Sequence, residues 1–215
     1  MLPSHFVWTR YGTESGESMG AILARKERER IATGGCFLWG IGNSVGPSVR
    51  RLLDAHKGVD PYVVFSPMLG APKQVDVTPG RVCVWTSAVG IDGQDWEIPD
   101  GIRVTSRASA GVREKQRHYA LVCRVDSPLV PQDDGPRFSM TDLRNFASGN
   151  PVGASQVTSV VNRVAQSEAG AYVAALVARL VYPFVVELGD PCPEGSPKPA
   201  RHVARQMSLA EVAAR

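Results

Sequence analysis

The sequence predicts an α+β protein: a curled β-meander flanked by helices, followed by a C-terminal helical layer. Three observations lead there. Short β-type runs separated by Pro, Gly and Asp-Gly fill the stretch 62–125, which favours a curled or closed sheet over alternating βαβ units. Two segments with helix start and stop signals precede or interrupt the first strands. Ala- and Val-rich segments follow a break, PLVPQDDGP, at 128–136.

The elements follow in order. HFVWTR (5–10) reads as a first strand. SMGAILARKERERI (18–31) reads as a helix capped by Ser18 and stopped at Gly34-Gly35, with an apolar stripe of Met19, Ile22, Leu23 and Ile31. CFLW (36–39) is a second strand, and Pro47 opens a second helix that ends at Lys57-Gly58. YVVFS (62–66), 75–77, RVCVWTS (81–87), GIRVTS (101–106) and YALVCRV (119–125) make up the meander. Beyond the break, 139–146, 154–164 and 169–181 read as helices, and 203–214 as a terminal amphipathic one. The expected organisation is a barrel over 1–128, a helical extension over 137–183 packed on it, and a Pro-rich linker with a terminal helix over 190–215.

Composition narrows the function classes. No apolar run approaches the roughly 20 residues that span a bilayer, and the N-terminus lacks a signal-peptide pattern, so the expected setting is cytoplasmic, nucleoid-associated if DNA is the partner. The four Cys and four His are dispersed, without CxxC pairs or metal-ligand spacing, and no metal is expected. Of the 24 basic residues, 19 are Arg, whose flat fork suits phosphate. Between Gly101 and Val125 stand six cations (Arg103, Arg107, Arg113, Lys115, Arg117, Arg124) against one acid, Glu114. That density is a candidate phosphate-contacting face.

GIGNSVG (40–46) resembles a dinucleotide turn, yet the next strand ends in Ser66-Pro67 with no acid for a ribose, and no further βαβ unit follows. No GK[ST] is present either, so no nucleotide cofactor is expected. What remains is a strand ending in Trp39 beside a polar turn. Trp8 and Trp85 sit in the same way, each followed by small polar residues. Any one of these could be core filler, whereas three with polar companions fit an aromatic pocket that stacks a flat heterocycle and reads its rim.

The order FVWTRYG, helix, CFLWGIGNS, helix, meander, with TPGRVCVWTSAVG and YALVCRVDSP inside it, resembles the PUA-like superfamily, which includes the EVE, YTH, ASCH and SRA domains. The resemblance covers roughly residues 5 to 128. Where EVE and YTH domains carry a Lys-Ser type motif after the first strand, this chain has WTRYGTES. The resemblance implies a barrel of about five to six strands that binds a modified base, methylated cytosine or adenine, flipped into an aromatic cage. The cage would be Trp8, Trp39 and Trp85, with Asn43, Ser44, Thr86 and Ser87 on its rim and Asp76 or Asp92 accepting from an exocyclic amine. Arg10, Arg103, Arg107, Arg113, Lys115 and Arg117 would hold phosphates, of DNA in preference to RNA.

Two other classes compete. A metal nuclease needs clustered carboxylates, and the acids of IDGQDWEIPDG read as a solvated loop. Neither a GxSxG elbow nor a Cys–His pair points to a nucleophile, so no catalytic residue is assigned. MTDLRNFASGNPVGASQVTSVVNRVAQ could instead form a helix-turn-helix whose second helix presents Gln156, Thr158, Ser159, Asn162 and Arg163 to a groove.

Overall fold

A computed structural model of the chain describes residues 2–12, 17–42, 44–68, 82–85, 87–100, 102, 104–105, 117–130, 135–164, 172–189 and 192–193. Its elements are β1 (His5–Tyr11), α1 (Met19–Ala32), β2 (Cys36–Ile41), α2 (Val45–Ala55), β3 (Tyr62–Pro67), β4 (Val82–Val84), β5 (Ser87–Gly90), β6 (Asp95–Glu97), β7 (Val104–Thr105), β8 (His118–Arg124), β9 (Arg137–Ser139), β10 (Leu143–Asn145), β11 (Thr158–Arg163), β12 (Tyr172–Ala174), β13 (Leu176–Leu188) and β14 (Cys192–Pro193). The fold is α+β. The expected strand at 75–77 and terminal helix at 203–214 lie outside the described residues. No helix among the described residues is long and apolar enough to cross a membrane.

Nine strands form one sheet that is open, not a closed barrel of five or six: its main path runs β10-β11-β1-β3-β13-β5-β6, and β8 joins β13 to β2. β1 and β3 are parallel, so α1, β2 and α2 form the crossover between them. β13 is the hub. Its first half pairs with β3 and its second half with β5, while β8 lies along the strand across a register shift between Leu180 and Val185. At that bulge Phe184 has a φ of 64°, after a cis Tyr182-Pro183 bond. The bend presses Pro183 on β5: a Cβ on Gly90 would stand 2.9 Å from Pro183 Cβ, which is why a glycine occupies that position.

The helices expected over 137–183 are strands. Met140–Asp142 is a single 3-10 turn, and β9 to β13 stand where the helices were expected, with turns and loops between them among the described residues. Two physical reasons stand out. TSVVNR is rich in β-branched residues. In β13 burial alternates strictly from Leu176 to Val181, but Val177 and Val181 pack into clusters of their own on the far face, which hides the period of two. The helix-turn-helix alternative is corrected with them. Its groove-reading side chains are engaged internally: Asn145 Oδ1 accepts from Gln156 Nε2 at 3.1 Å and Ser159 Oγ at 2.8 Å, and Asn162 Oδ1 lies 2.7 Å from His5 Nδ1.

The core divides in three. The inner face of the curled sheet (Val7, Phe37, Trp39, Val63, Phe65, Leu121, Val185) is covered by Val45, Val49 and Leu52 of α2. The outer face of β1, β3 and β11 packs Phe6, Trp8, Val64 and Val161 under Phe138 and Val173 of the β9–β12 pair. The outer face of β2, β8 and β13 packs Leu38, Ala120, Val122, Val186 and Leu188 under Trp85, Ala88, Trp96, Ile98 and Ile102.

Candidate functional site

The three Trp of the expected cage fall into three different clusters. Trp39 lies in the inner one, with its ring edge-on to Phe65 at 4.8 Å, and its Nε1 donates to Thr9 Oγ1 at 3.2 Å. Trp8 is fully buried on the opposite face, and its Nε1 donates to Ser66 Oγ at 3.1 Å. Arg10, expected to hold phosphate, lies over the Trp8 ring at 4.9 Å and donates to the Ala154 carbonyl; burial lowers its pKa. These side chains are packed and satisfied where they stand. The structure does not bring them to Trp85.

Trp85 differs. It is 2% exposed, and its Nε1 has no hydrogen-bond partner. In the same cluster stands Trp96, 3% exposed, with its Nε1 likewise unpartnered. A buried N–H with no acceptor costs about 1–3 kcal/mol, so two in one cluster form a departure that calls for a reason. Trp96 is not among the sequence candidates because IDGQDWE reads as an acidic loop. It is in fact a hairpin: Asp92 Oδ1 accepts from Gln94 N at 3.0 Å in the turn, and β5 and β6 pair Ala88 with Trp96. The signal was available, since Asp-Gly between short alternating runs marks a hairpin. Asp92, weighed as a base contact, serves this turn and also accepts from the Tyr182 hydroxyl.

Leu38, Ala88, Ile98, Ile102 and Leu188 share the hydrophobic cluster with the two indoles. His118 stands against Trp85, their ring centroids 5.9 Å apart and tilted by 55°. Ser87 is exposed at the start of β5, next in the chain to Ala88 of the cluster. Ser44 is exposed at the start of α2, with no capping bond from its side chain. Asn43, Asp76 and Thr86 lie outside the described residues.

The basic segment belongs to this cluster by connectivity. Ile102, buried at 2%, precedes it, and His118 follows it against Trp85. Just after Ile102, β7 pairs with β4, the strand that leads into Trp85. Arg103, Arg107, Arg113 and Lys115 lie outside the described residues. Arg117 is exposed, 3.5 Å from Glu187, which also accepts from the Tyr119 hydroxyl at 3.1 Å. Its hydrogen bond with Tyr119 and the Glu187 charge hold its pKa above the ordinary value.

Other clusters of polar groups read as structural. On α1, Glu29 accepts from Lys26 at 2.8 Å and pairs with Arg25 at 3.4 Å, all within the helix and buried. Among the described residues no group of three His, Cys, Asp or Glu side chains is placed to hold a metal ion. Comparison of the chain with family models, with curated proteins and with solved structures finds no match.

Proposed function

We propose that the protein binds nucleic acid, DNA in preference to RNA, and receives a modified base, most directly a methylated one such as 5-methylcytosine, at the cluster of Trp85 and Trp96 on a PUA-like fold. One observation carries this reading. Two buried indole donors without acceptors lie in the cluster from which the most basic segment of the chain departs and to which it returns. A flipped base supplies a flat apolar face for the Trp rings and polar atoms for their N–H groups. Arg103, Arg107, Arg113, Lys115 and Arg117 on the adjoining segment supply the phosphate contacts that hold a strand there. Trp8 and Trp39 support the sheet and take no part.

The test is a gel shift at fixed salt against matched duplexes that are unmodified, 5-methylcytosine-bearing or N6-methyladenine-bearing, with RNA versions beside them. One methylated duplex is expected to bind about fivefold more tightly, the worth of one methyl at about 1 kcal/mol, and Trp85→Ala is expected to remove that preference. Affinity for every probe falls as salt rises, through counterion release. Equal binding to all duplexes would reduce the site to a basic surface. Absence of binding would overturn the reading.

A further inference from the structure

We propose that the stacked imidazoles of His5 and His56 form a proton-operated latch. The pair holds the end of α2 on the sheet while at most one ring is charged, and releases it when both are. The latch is separate from the Trp85 cluster and does not depend on what binds there.

His5 opens β1 and His56 is the C-cap of α2. Their rings lie face to face, with centroids 4.5 Å apart and planes 25° apart, and both residues are half-buried. Phe146, just after β10, sets its ring against both, at 6.1 Å from each. His5 Nδ1 lies 2.7 Å from Asn162 Oδ1 on β11, and because an amide oxygen only accepts, that nitrogen carries the hydrogen. A further proton can then enter at His5 Nε2 without loss of this bond. One imidazolium on a neutral aromatic face is an attractive pair. Two at this separation repel, and half-burial weakens the screening that would relieve them.

No acid meets the pair. Among the described residues neither imidazole has an ion pair, and their one side-chain hydrogen bond is to Asn162. On α2 and the chain after it, Arg51, Asp54 and Lys57 are exposed, Arg50 donates to the Ile91 carbonyl, and Asp60 pairs with Arg179 at 3.8 Å. On β11, Arg163 donates to the Leu2 carbonyl. On β10, Arg144 is level with Asn162 and donates to the carbonyls of Thr141 and Leu143. Arg10, the other basic residue of β1, lies over Trp8. The cations of β10 and β11 therefore add to a second charge on the pair, and the exposed Asp54 is screened by water.

The sign follows by linkage. Two separated rings take up two protons freely, so the released state binds more protons than the latched one and gains as pH falls. Histidine changes charge between about pH 5 and 8, which sets the window. Release opens the last turn of α2 and uncovers Leu53 and Phe146, which pack at the rim of the inner core. The His56 amide donates to the Leu52 carbonyl and the Val59 amide to that of His56, so these two bonds report the latch.

The experiment is amide hydrogen exchange of the full chain at about pH 7.5 and about pH 5.5, corrected for intrinsic rates, a range that titrates histidine and leaves carboxylates ionised. Protection of the His56 and Val59 amides is expected to fall about tenfold at the lower pH, while Val7 and Trp8 in the middle of the sheet hold. His56→Phe keeps a ring in the stack but cannot take a proton, and should make protection equal at the two pH values. His5→Gln should abolish the response as well, because a single imidazole never meets a second charge, and it decides the matter if His56→Phe fails to fold. Equal protection at both pH values in the unaltered chain would overturn the proposal. So would a fall that persists in either folded variant, or one shared by Val7 and Trp8, which would mark unfolding of the whole sheet.

Discussion

At the scale of single residues, Trp is the informative type in this chain, and the hydrogen-bond partner of each indole separates structure from site. Trp8 and Trp85 have nearly equal burial, at 0% and 2%, yet one donates to Ser66 and the other has no partner. Replacement by Phe should therefore cost them differently. Trp8→Phe loses a buried hydrogen bond, leaves Ser66 without its donor and opens a small cavity, for about 2–3 kcal/mol. Trp85→Phe opens a similar cavity but also removes a donor that pays a desolvation penalty, so the two effects offset to within about 1 kcal/mol. Urea unfolding of both variants measures the difference. Equal losses would mean that the Trp85 N–H is satisfied in the folded protein. Sequence reasoning selects Trp85 from its place at a strand end with polar neighbours. It cannot separate it from Trp8 and Trp39, because the partners Ser66 and Thr9 are 58 and 30 residues away along the chain.

At the scale of elements, the segments that carry their own local signals are legible. Ser18 caps α1 as its position suggests, its Oγ accepting from Ala21 N at 3.2 Å, and Gly34 and Gly35 take positive φ just past the helix end. The first three strands and α2 also lie where the sequence places them, to within two residues at either end. What local pattern misses is the face that α1 buries. Of the expected stripe Ile22 is buried, but Met19 and Ile31 are 40% and 65% exposed, and Arg25, Lys26 and Glu29 take the inward positions beside Ile22. Charged residues at that spacing read as a solvated face unless they neutralise one another, and here they do. Burial lowers the pKa of Lys26, and Glu29 opposes that shift. Glu29→Ala, which removes the carboxylate that Lys26 and Arg25 share, should cost about 3–5 kcal/mol. Lys26→Met combined with Glu29→Leu should cost less than half as much, because an apolar pair replaces the ionic one and Arg25 keeps its ion pair with Glu17 at 2.8 Å. Denaturant titration of the two variants decides it, and a loss under about 1 kcal/mol for Glu29→Ala would place these charges in solvent exchange.

For the molecule as a whole, the consequential difference from the sequence reading is where the chain beyond residue 128 goes. A barrel complete by 128 with helices laid against it would tolerate their loss. The structure instead threads the later segments into the sheet: β11 pairs with β1, and β13 lies between β3, β5 and β8. The reason this is illegible in the sequence is physical. Strand pairing is set by partners more than a hundred residues away, and β13 shows an apolar pattern on both faces because a separate cluster packs on each. A fragment ending at Pro128 therefore lacks the strand that joins the β1–β3 half of the sheet to the β2–β8 half, and it exposes Val63, Phe65, Leu121 and Val122 along the break. That fragment should show no cooperative urea transition and poor dispersion of amide resonances, whereas the full chain unfolds in one step. The same logic reaches the candidate site, since Val186 and Leu188 of β13 form its floor together with Leu38 and Val122. A fragment of residues 1–128 that unfolded cooperatively and bound a methylated duplex like the full chain would show that the site needs only the first half of the protein. The expected loss of both properties would tie the site to the closing strand.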